Sequence, residues 1–397
     1  MRKISATFLF PVNRPPLKNG IIICDDDGTV VDLIDTGGKL KEMAGLEYYS
    51  GILAPGFVNA HCHLELSHLH GKIPEKTGIG GFLGDISQLR NKQPENTETT
   101  IRKADRMMWA AGIAAVGDIS NSTASLATKL KSKIFYHTFV ETFGFHPSRA
   151  ERAFEMACNV RDEFRKNHLP AFIVPHSPYS VSKPLFKKIE EMARDEKGIL
   201  SIHNQESKSE ARFFYNGTGP IAHHLQNNLG IDISHWEPTG KSSLFSALPF
   251  LPEENPLLLV HNTFTEKQDL DELKKIRPVN NTFWVLCPNS NLFIENQLPP
   301  VALFRDEQLN ICLGTDSLAS NHQLSILSEM VTLQQNFPEI SFGEILGWGT
   351  LNGARALKID HHFGSFGKGK KPGVNLITGF DFKTMKLSGN SSVKRLL

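Results

Sequence analysis

Two histidines set two positions apart, His61 and His63, close an apolar run that begins near Gly51 and passes through Pro55, Gly56, Phe57 and Val58. On an extended backbone, residues i and i+2 point to the same face. Two neutral imidazoles aimed the same way can chelate one transition-metal ion, because ring nitrogens are good ligands for zinc or iron. The motif alone also describes two surface histidines. Its chemical weight comes from four residues further along the chain: His176, His203, His261 and Asp316 each stand just after a further short apolar run. Histidine and carboxylate are the side chains that hold divalent metals and move protons.

A bound metal lowers the pKa of its water from 15.7 to about 7, which makes a nucleophile available at neutral pH. Attack on an aromatic carbon that carries an amino group also needs a proton on the ring nitrogen and another on the departing ammonia. One carboxyl group beside the metal can move both. Glu206, three residues past His203, is the candidate; its alternative is a carboxylate facing the dipole of a helix N-terminus. Asp316 can bind metal and take a proton from water, or serve as a helix N-cap. The zinc deaminases built on a Pro-Cys-x-x-Cys motif are not matched, since that motif is absent.

To bring these residues together, the chain must set them at corresponding ends of neighbouring strands. Eight short apolar runs qualify, at residues 56–60, 113–119, 134–140, 171–175, 199–202, 257–260, 282–286 and 309–314. Amphipathic stretches, such as residues 100–111, 150–166, 183–194 and 266–276, lie between most of them. Strands alternating with helices predict an α/β fold with a parallel sheet and crossover helices. Eight such units predict closure into a (β/α)8 TIM barrel, whose carboxyl strand ends converge on the face where barrel enzymes carry their sites. His61 and His63 end the first strand, His176 the fourth, His203 the fifth, His261 the sixth and Asp316 the eighth.

Residues 1–54 hold short β-type runs with no helix between them, and read as the first part of a small β-sandwich domain. The barrel takes residues 55–357. Residues 358–397, with a turn-rich stretch at 364–373 and a strand at 374–377, return to complete the sandwich, which is therefore discontinuous in sequence. The barrel span exceeds the ~250 residues typical of that fold, leaving room for long loops. One is the glycine-rich stretch of residues 71–90, read either as a mobile lid or as a plain turn region.

Composition narrows the partners. With 43 Lys and Arg against 42 Asp and Glu, the 397-residue chain carries a net charge of +1. No field steers it toward nucleic acid or an anionic membrane, so a small, roughly neutral substrate is expected. Five scattered cysteines without a Cys-x-x-Cys pair fit the reduced thiols of a cytoplasmic protein. Pro11 interrupts the first apolar run, which reads as a strand and not as a signal peptide. No apolar run approaches membrane-spanning length. A homodimer is the default expectation for assembly.

Taken together, Pro55-Gly-Phe-Val-Asn-Ala-His-Cys-His63, His203-Asn-Gln-Glu206, Val260-His261, Cys287-Pro-Asn-Ser-Asn291, Gly314-Thr-Asp-Ser317 with Ser320-Asn321, and Asn352-Gly-Ala-Arg355 carry a resemblance across nearly the whole chain. The sequence resembles the amidohydrolase superfamily, and within it the branch of cytosine, S-adenosylhomocysteine and aminofutalosine deaminases. The resemblance implies that His61, His63, His203 and Asp316 hold one divalent metal ion, zinc first, with iron and manganese also suited. It implies that His261 hydrogen-bonds the attacking water and that Glu206 shuttles protons. Two-metal members add a bridging Lys or Glu from the fourth strand; here that strand ends in Val174-Pro-His176, which implies a single metal.

The substrate clues are of the same kind. His-x-His-Leu-Glu is similar to the aminofutalosine deaminase version of this segment. Nucleoside deaminases of the group use a first-loop Glu to accept ribose hydroxyls, and Glu65 is either that residue or an exposed loop carboxylate. Pro175-His-Ser-Pro-Tyr179 is similar to the fourth-strand segment of adenosine-type deaminases, so His176 either touches substrate or is structural. Phe143, Phe145, Phe213 and Phe214 either stack on a purine or fill a core. The implied activity is metal-dependent hydrolytic deamination of an adenine-type nucleoside, aminofutalosine-like or 5′-modified adenosine first, with release of ammonia. The alternatives are an amidohydrolase or chlorohydrolase acting on another small heterocycle, of imidazolone or triazine type, and a non-catalytic descendant that only binds.

Overall fold

The computed structural model describes residues 1–40, 42–90, 92 and 97–397. Strands β1 (Arg2–Leu9), β2 (Leu17–Lys18), β3 (Ile21–Cys24), β4 (Val30–Ile34) and β5 (Leu46–Pro55) come first. They are followed by β6 (Phe57–Cys62), β7 (Ile113–Ser120), β8 (Phe135–Thr142) and β9 (Ala171–Pro175), then by β10 (Leu200–Asn204), β11 (Leu257–His261), β12 (Thr282–Leu286) and β13 (Asn310–Leu313). Strands β14 (Val374–Thr378) and β15 (Ser392–Arg395) end the chain.

The eight central strands form two four-stranded parallel sheets, β6-β7-β8-β9 and β10-β11-β12-β13. Every residue of β6, β7, β10, β11 and β12 is buried. That is the pattern of parallel strands covered on both faces, and it explains why these segments read as continuous apolar runs. Helices Thr97–Ala110, Ala150–Lys166, Lys183–Glu196 and Lys267–Ile276 lie between strands. Their apolar stripes, for example Leu185 and Ile189 with Leu270 and Leu273, pack on one strand face together with Val140, Ile173, Leu257 and Leu259. The other face of both sheets feeds one common cluster, in which Val58, Ala60, Ala115, Phe139 and Val174 meet Leu258, Val260, Val285 and Cys312.

Backbone bonds also pass between the two sheets. His203 N–H donates to the His176 carbonyl at 3.0 Å, and Thr315 N–H donates to the His61 carbonyl at 3.0 Å. Gly314 makes that second junction sterically feasible. A Cβ there would lie 2.9 Å from the His61 Cβ and 3.0 Å from the Cys287 Sγ, closer than packed carbons approach.

The terminal strands pair in one seven-stranded mixed sheet of order β15-β14-β5-β1-β3-β4, with β2 on β1. Strand β1 runs parallel to β5, and β14 runs antiparallel to it, so the two ends of the chain meet in one layer. A second sheet facing this one is not found among the described residues. Of the stretch at residues 71–90, the part from Gly78 onward is a helix, Gly78–Leu89, and not a glycine turn. A Cβ on Gly80 would come within 2.5 Å of the Pro220 Cβ, so glycine lets this helix lie close against the 220–223 segment. Phe145, Phe213 and Phe214 are buried core residues, while Phe143 is half exposed. No helix among the described residues is long and apolar enough to cross a membrane.

A buried ion pair fixes the segment just past the paired histidines. Lys129 Nζ lies 2.7 Å from Asp118 Oδ2, with both side chains fully buried, and also donates to Ser120 and Thr138 hydroxyls at 3.0 Å. The other Asp118 oxygen accepts the Leu64 N–H at 2.8 Å. Removing the cation leaves a buried carboxylate unpaired, so Lys129→Met should destabilise the protein by about 3–5 kcal/mol. Adding Asp118→Asn should recover part of that loss; urea unfolding of the two variants measures it, and an additive double mutant would show the pair to be uncoupled.

Candidate active site

The strand ends gather the chemistry. In β6 a register shift between Asn59 and Cys62 interrupts the pairing with β7. Val58 and Ala60 belong to the inner cluster but Cys62 packs on the outer one, so beyond the irregularity the odd-numbered His61 and His63 take the inner side. Bulges re-aim side chains in this way near sites. His63 Nε2 lies 3.1 Å from His61 Nε2 and 3.3 Å from His203 Nε2. Asp316 Oδ1 lies 3.4 Å from His63 Nε2 and 3.7 Å from His61 Nε2. His261 completes the cluster, its ring centroid 5.4 Å from that of His203 and 5.9 Å from that of His61.

Two of these residues are held in an unusual backbone conformation. His261 has φ +74° and Asp316 φ +57°, the left-handed region that non-glycine residues rarely enter. Such strain persists only where the surroundings enforce it, and it concentrates at functional sites.

The donor set fits a divalent cation. His203 Nδ1 is committed to the His176 carbonyl at 2.7 Å, which fixes the proton on Nδ1 and leaves the Nε2 lone pair facing the cluster. Burial, the largest influence, pushes His63 down to about 3 and His61 and His261 below the usual imidazole range, so these rings are neutral. Neutral ring nitrogens crowded around one point have too few N–H groups between them to satisfy every contact by hydrogen bonds. Four ligands about 2.1 Å from a tetrahedral zinc stand about 3.4 Å apart, and the His61–His63, His63–His203, His63–Asp316 and His61–Asp316 separations run from 3.1 to 3.7 Å. Asp316 turns its second oxygen to two hydroxyls, Ser290 Oγ at 2.7 Å and Ser320 Oγ at 2.6 Å.

Glu206 is buried beside this cluster, its Oε1 3.7 Å from His261 Nε2. The turn that carries it is pinned by Glu210, which accepts the Gln205 N–H at 3.1 Å and the Glu206 N–H at 3.0 Å. Burial first, then the negative charges of Asp316, Glu210 and Glu295, raise Glu206 well above the ordinary carboxylate range. Asp316 goes the other way: burial would raise it, but the surrounding histidines bring it well below its usual value. Two carboxyl groups lining one cavity are thus pushed in opposite directions, one toward its neutral form and one toward its anion.

The remaining expected residues divide. His176 lines the same cavity; its Nδ1 meets Ser180 Oγ at 2.8 Å and Ser177 Oγ at 3.0 Å, and burial lowers it to about 4. Glu65 is buried, and both its oxygens are occupied: Arg90 Nη2 and the Asn121 N–H reach one at 3.1 Å each, and Ser122 Oγ reaches the other at 3.0 Å. Helix Gly78–Leu89 roofs the cavity with Ile79, Phe82, Leu83 and Ile86. The space beneath is about 70 Å³, well below the roughly 300 Å³ at which small-molecule pockets begin.

Sequence reasoning does not single out Ser290, Ser320 or Asn59 for roles at the site. Asn59 exchanges two bonds with Thr315, donating to its hydroxyl at 2.8 Å and accepting its N–H at 3.1 Å. The two serines lie inside recognisable motifs, Cys287-Pro-Asn-Ser-Asn291 and Ser320-Asn321, but nothing in a linear motif says which hydroxyl reaches which carboxylate.

Comparison with known proteins gives consistent matches. A model of the amidohydrolase family matches residues 52–394. The adenosine deaminase of Helicobacter pylori is 28% identical over 352 residues, covering 85% of this chain and 84% of that protein. A 5-methylthioadenosine/S-adenosylhomocysteine deaminase of Saccharophagus degradans is 24% identical over 393 residues, covering 93% of this chain and 81% of that protein. The crystal structure of Helicobacter pylori aminofutalosine deaminase in complex with methylthio-coformycin has a TM-score of 0.83 at 23% identity, covering 100% of both chains.

The two serines that bond Asp316 can be tested without any substrate. With both hydroxyls removed, in Ser290→Ala/Ser320→Ala, the carboxylate loses the partners that aim it, and zinc affinity of the metal-stripped protein should fall by about 10–100-fold. Competition against a chromogenic chelator reads this, and undiminished affinity would show that the hydroxyls do not orient the carboxylate.

Proposed function

The chain belongs to the amidohydrolase family, and on that premise we propose that it is a metal-dependent hydrolytic deaminase of an adenine-type nucleoside, aminofutalosine-like or 5′-modified adenosine first, releasing ammonia. The observation that carries the reading is Glu206, a buried carboxyl 3.7 Å from His261 and next to the converging imidazoles, in surroundings that favour its neutral form. The deaminase names of the similar proteins support it.

In this reading His61, His63, His203 and Asp316 hold one divalent ion, zinc first, with iron and manganese also chemically suited. When bound, that ion supplies a water acidic enough to act as a nucleophile near neutral pH. Glu206 gives its proton to the ring nitrogen as water oxygen bonds to the amino-bearing carbon, and Asp316 takes the proton the water sheds. His261 orients that water through its ring nitrogen. Glu206, now ionised, takes the hydroxyl proton of the tetrahedral adduct and hands it to the amine, which leaves as ammonia while the carbonyl forms. Transfer of the Asp316 proton back to Glu206 restores both groups. His176 contacts the purine from the cavity wall.

We also read the two parallel sheets as halves of one closed (β/α)8 barrel over residues 55–357. Their shared inner cluster and the His203–His176 and Thr315–His61 backbone bonds support closure. Residues 1–54 and 358–397 make the small sandwich domain. Its support is that Ile4, Ile22, Val30, Leu53, Phe366 and Leu376 bury one another on one face of the terminal sheet, which a flat single layer does not achieve. The cavity is too small for a nucleoside as it stands, so helix Gly78–Leu89 shifts to admit substrate.

An ammonia-release assay over adenine nucleosides and other amino-heterocycles, scored against ring-opened or dechlorinated products, tests the reaction class. Glu206→Gln should lower ammonia release by about 10²–10⁴-fold with the bound metal retained; an active Glu206→Gln protein contradicts the shuttle. Because the raised group must be protonated to act, activity should decline as pH rises through its value, and that alkaline limb should be missing from the residual activity of Glu206→Gln.

A further inference from the structure

Two buried carboxyl groups have no place in the chemistry described so far. Glu141 lines the cavity wall, with Oε2 on the Asn121 amide at 3.1 Å and no partner for Oε1 among the described residues. Glu329 lies deeper, with none of its surface exposed, in the first turn of the helix Ile326–Asn336. Three N–H groups converge on it. Its Oε2 accepts the Asn289 backbone N–H at 2.9 Å, and its Oε1 accepts the Asn289 Nδ2–H at 2.9 Å and the Asn321 Nδ2–H at 2.8 Å. The Asn321 amide is oriented independently, because its Oδ1 accepts the Gln323 N–H at 3.2 Å.

Each of these partners is one step from the site. Asn289 precedes Ser290 and Asn321 follows Ser320, the two serines whose hydroxyls bond Asp316 Oδ2 at 2.7 and 2.6 Å. Those hydroxyls also lie 2.9 Å from each other. Asn321 Nδ2 further donates to the carbonyl of Thr315, the residue before Asp316, at 2.9 Å. One carboxyl group thus joins the start of helix Pro288–Ile294 to the segment 315–321 from behind, although Asn289 and Asn321 stand 40 and 8 positions from it in sequence.

The count of acceptors explains why a glutamate stands here. Donors reach both oxygens, and a glutamine would turn an NH2 toward one set of them, so that either the Asn289 N–H or the two side-chain amides would face a donor. Burial works against the carboxyl, pushing it up to about 8 even with three N–H bonds opposing the rise, and Asp316 adds a repulsion of like charge. Stability alone does not favour such a group in a core.

We propose that Glu329 is a positioning residue for the metal centre. By tying the Ser290 and Ser320 segments to one helix, it fixes the direction in which the Asp316 carboxylate faces the histidine cluster. This rests on the reading of Asp316 as a metal ligand. Glu329 is not among the residues that line the cavity; its influence passes through the two hydroxyls and should vanish when they are absent.

The test measures zinc affinity by competition against a chromogenic chelator, on metal-stripped protein, for Glu329→Gln made in wild type and in Ser290→Ala/Ser320→Ala. In the wild-type background the affinity should fall by about 10–100-fold, the range for losing an outer partner of a metal ligand. In the background without the serines the same change should cost less than about threefold. The visible d–d spectrum of cobalt-loaded Glu329→Gln should shift toward that of the double serine variant. Unchanged affinity or an unchanged spectrum in Glu329→Gln overturns the proposal and leaves the ligand reading standing. Equal losses in both backgrounds also overturn it, because a general loosening of the fold would then account for the effect. A wild-type protein that takes up no zinc overturns the ligand reading, and this proposal with it. Should Glu329→Gln fold poorly, Asn289→Ala decides: it removes one of the three bonds, and its affinity should fall by about threefold or more only when the serines are present. No fall in Asn289→Ala overturns the proposal.

Discussion

Four donor atoms from three distant segments, His61 and His63, His203, and Asp316, stand within 3.7 Å of their neighbours in a buried pocket. Little in the chain alone favours three desolvated imidazole nitrogens converging on one point. The imidazoles are desolvated, their ring nitrogens crowd one point with His203 presenting a lone pair, and the one carboxylate accepts but cannot donate. A shared cation reverses the sign of every one of these contacts. The rest of the structure can be understood as the means of holding this arrangement ready: strand ends that deliver the side chains, backbone conformations that His261 and Asp316 would not choose freely, and hydroxyls that settle which oxygen of Asp316 looks inward.

The means are layered by distance from the donors. Asn59 and Thr315 lock the end of the first sheet to the segment after the last central strand through two reciprocal hydrogen bonds. Asp118, paired with Lys129, holds the Leu64 N–H just past His63. Glu210 holds two successive amides of the turn that carries Glu206. Each of these is a buried polar group with its partners present, so it fixes geometry at little desolvation cost once formed, and each becomes a liability if a single partner is removed.

Much of this is legible in the sequence, and the divide is physical. Periodicity announces strands, and the eight runs fall within a few residues of β6 to β13, with β9, β12 and the helix Ala150–Lys166 matching to the residue. Position then follows from topology, because residues that end parallel strands share one rim; this is how His61, His63, His176, His203, His261 and Asp316 can be grouped from the chain alone. What periodicity does not encode is pairing across long separations. Asn59 and Thr315 are 256 positions apart. In the sequence Glu65 reads as either a ribose acceptor or an exposed loop carboxylate, because its partners Arg90, Asn121 and Ser122 lie 25 to 57 positions away, and Glu141 is hidden inside an apolar strand pattern. The helix Gly78–Leu89 is masked by its own glycines, which are there for close packing and not for turning.

The surroundings of Asp316 and Glu206 push the two carboxyls in opposite directions, whatever their separation in sequence. Both carboxyls are fully buried, and burial alone would raise both. Asp316 is surrounded by imidazoles and accepts two hydroxyl bonds, all of which favour its anion. Glu206 has no cation beside it among the described residues, and its nearest charges, Asp316, Glu210 and Glu295, are of its own sign. The group favoured as anion therefore stands against the imidazole cluster, while the one favoured as neutral lies beside it, near His261. Exchanging the two preferences would require moving the serines and the histidines, not the carboxyls, so it is the surroundings that set each direction. The same logic extends to Glu141, whose Oε1 is left open at the cavity wall because the donors around it are spent on other acceptors.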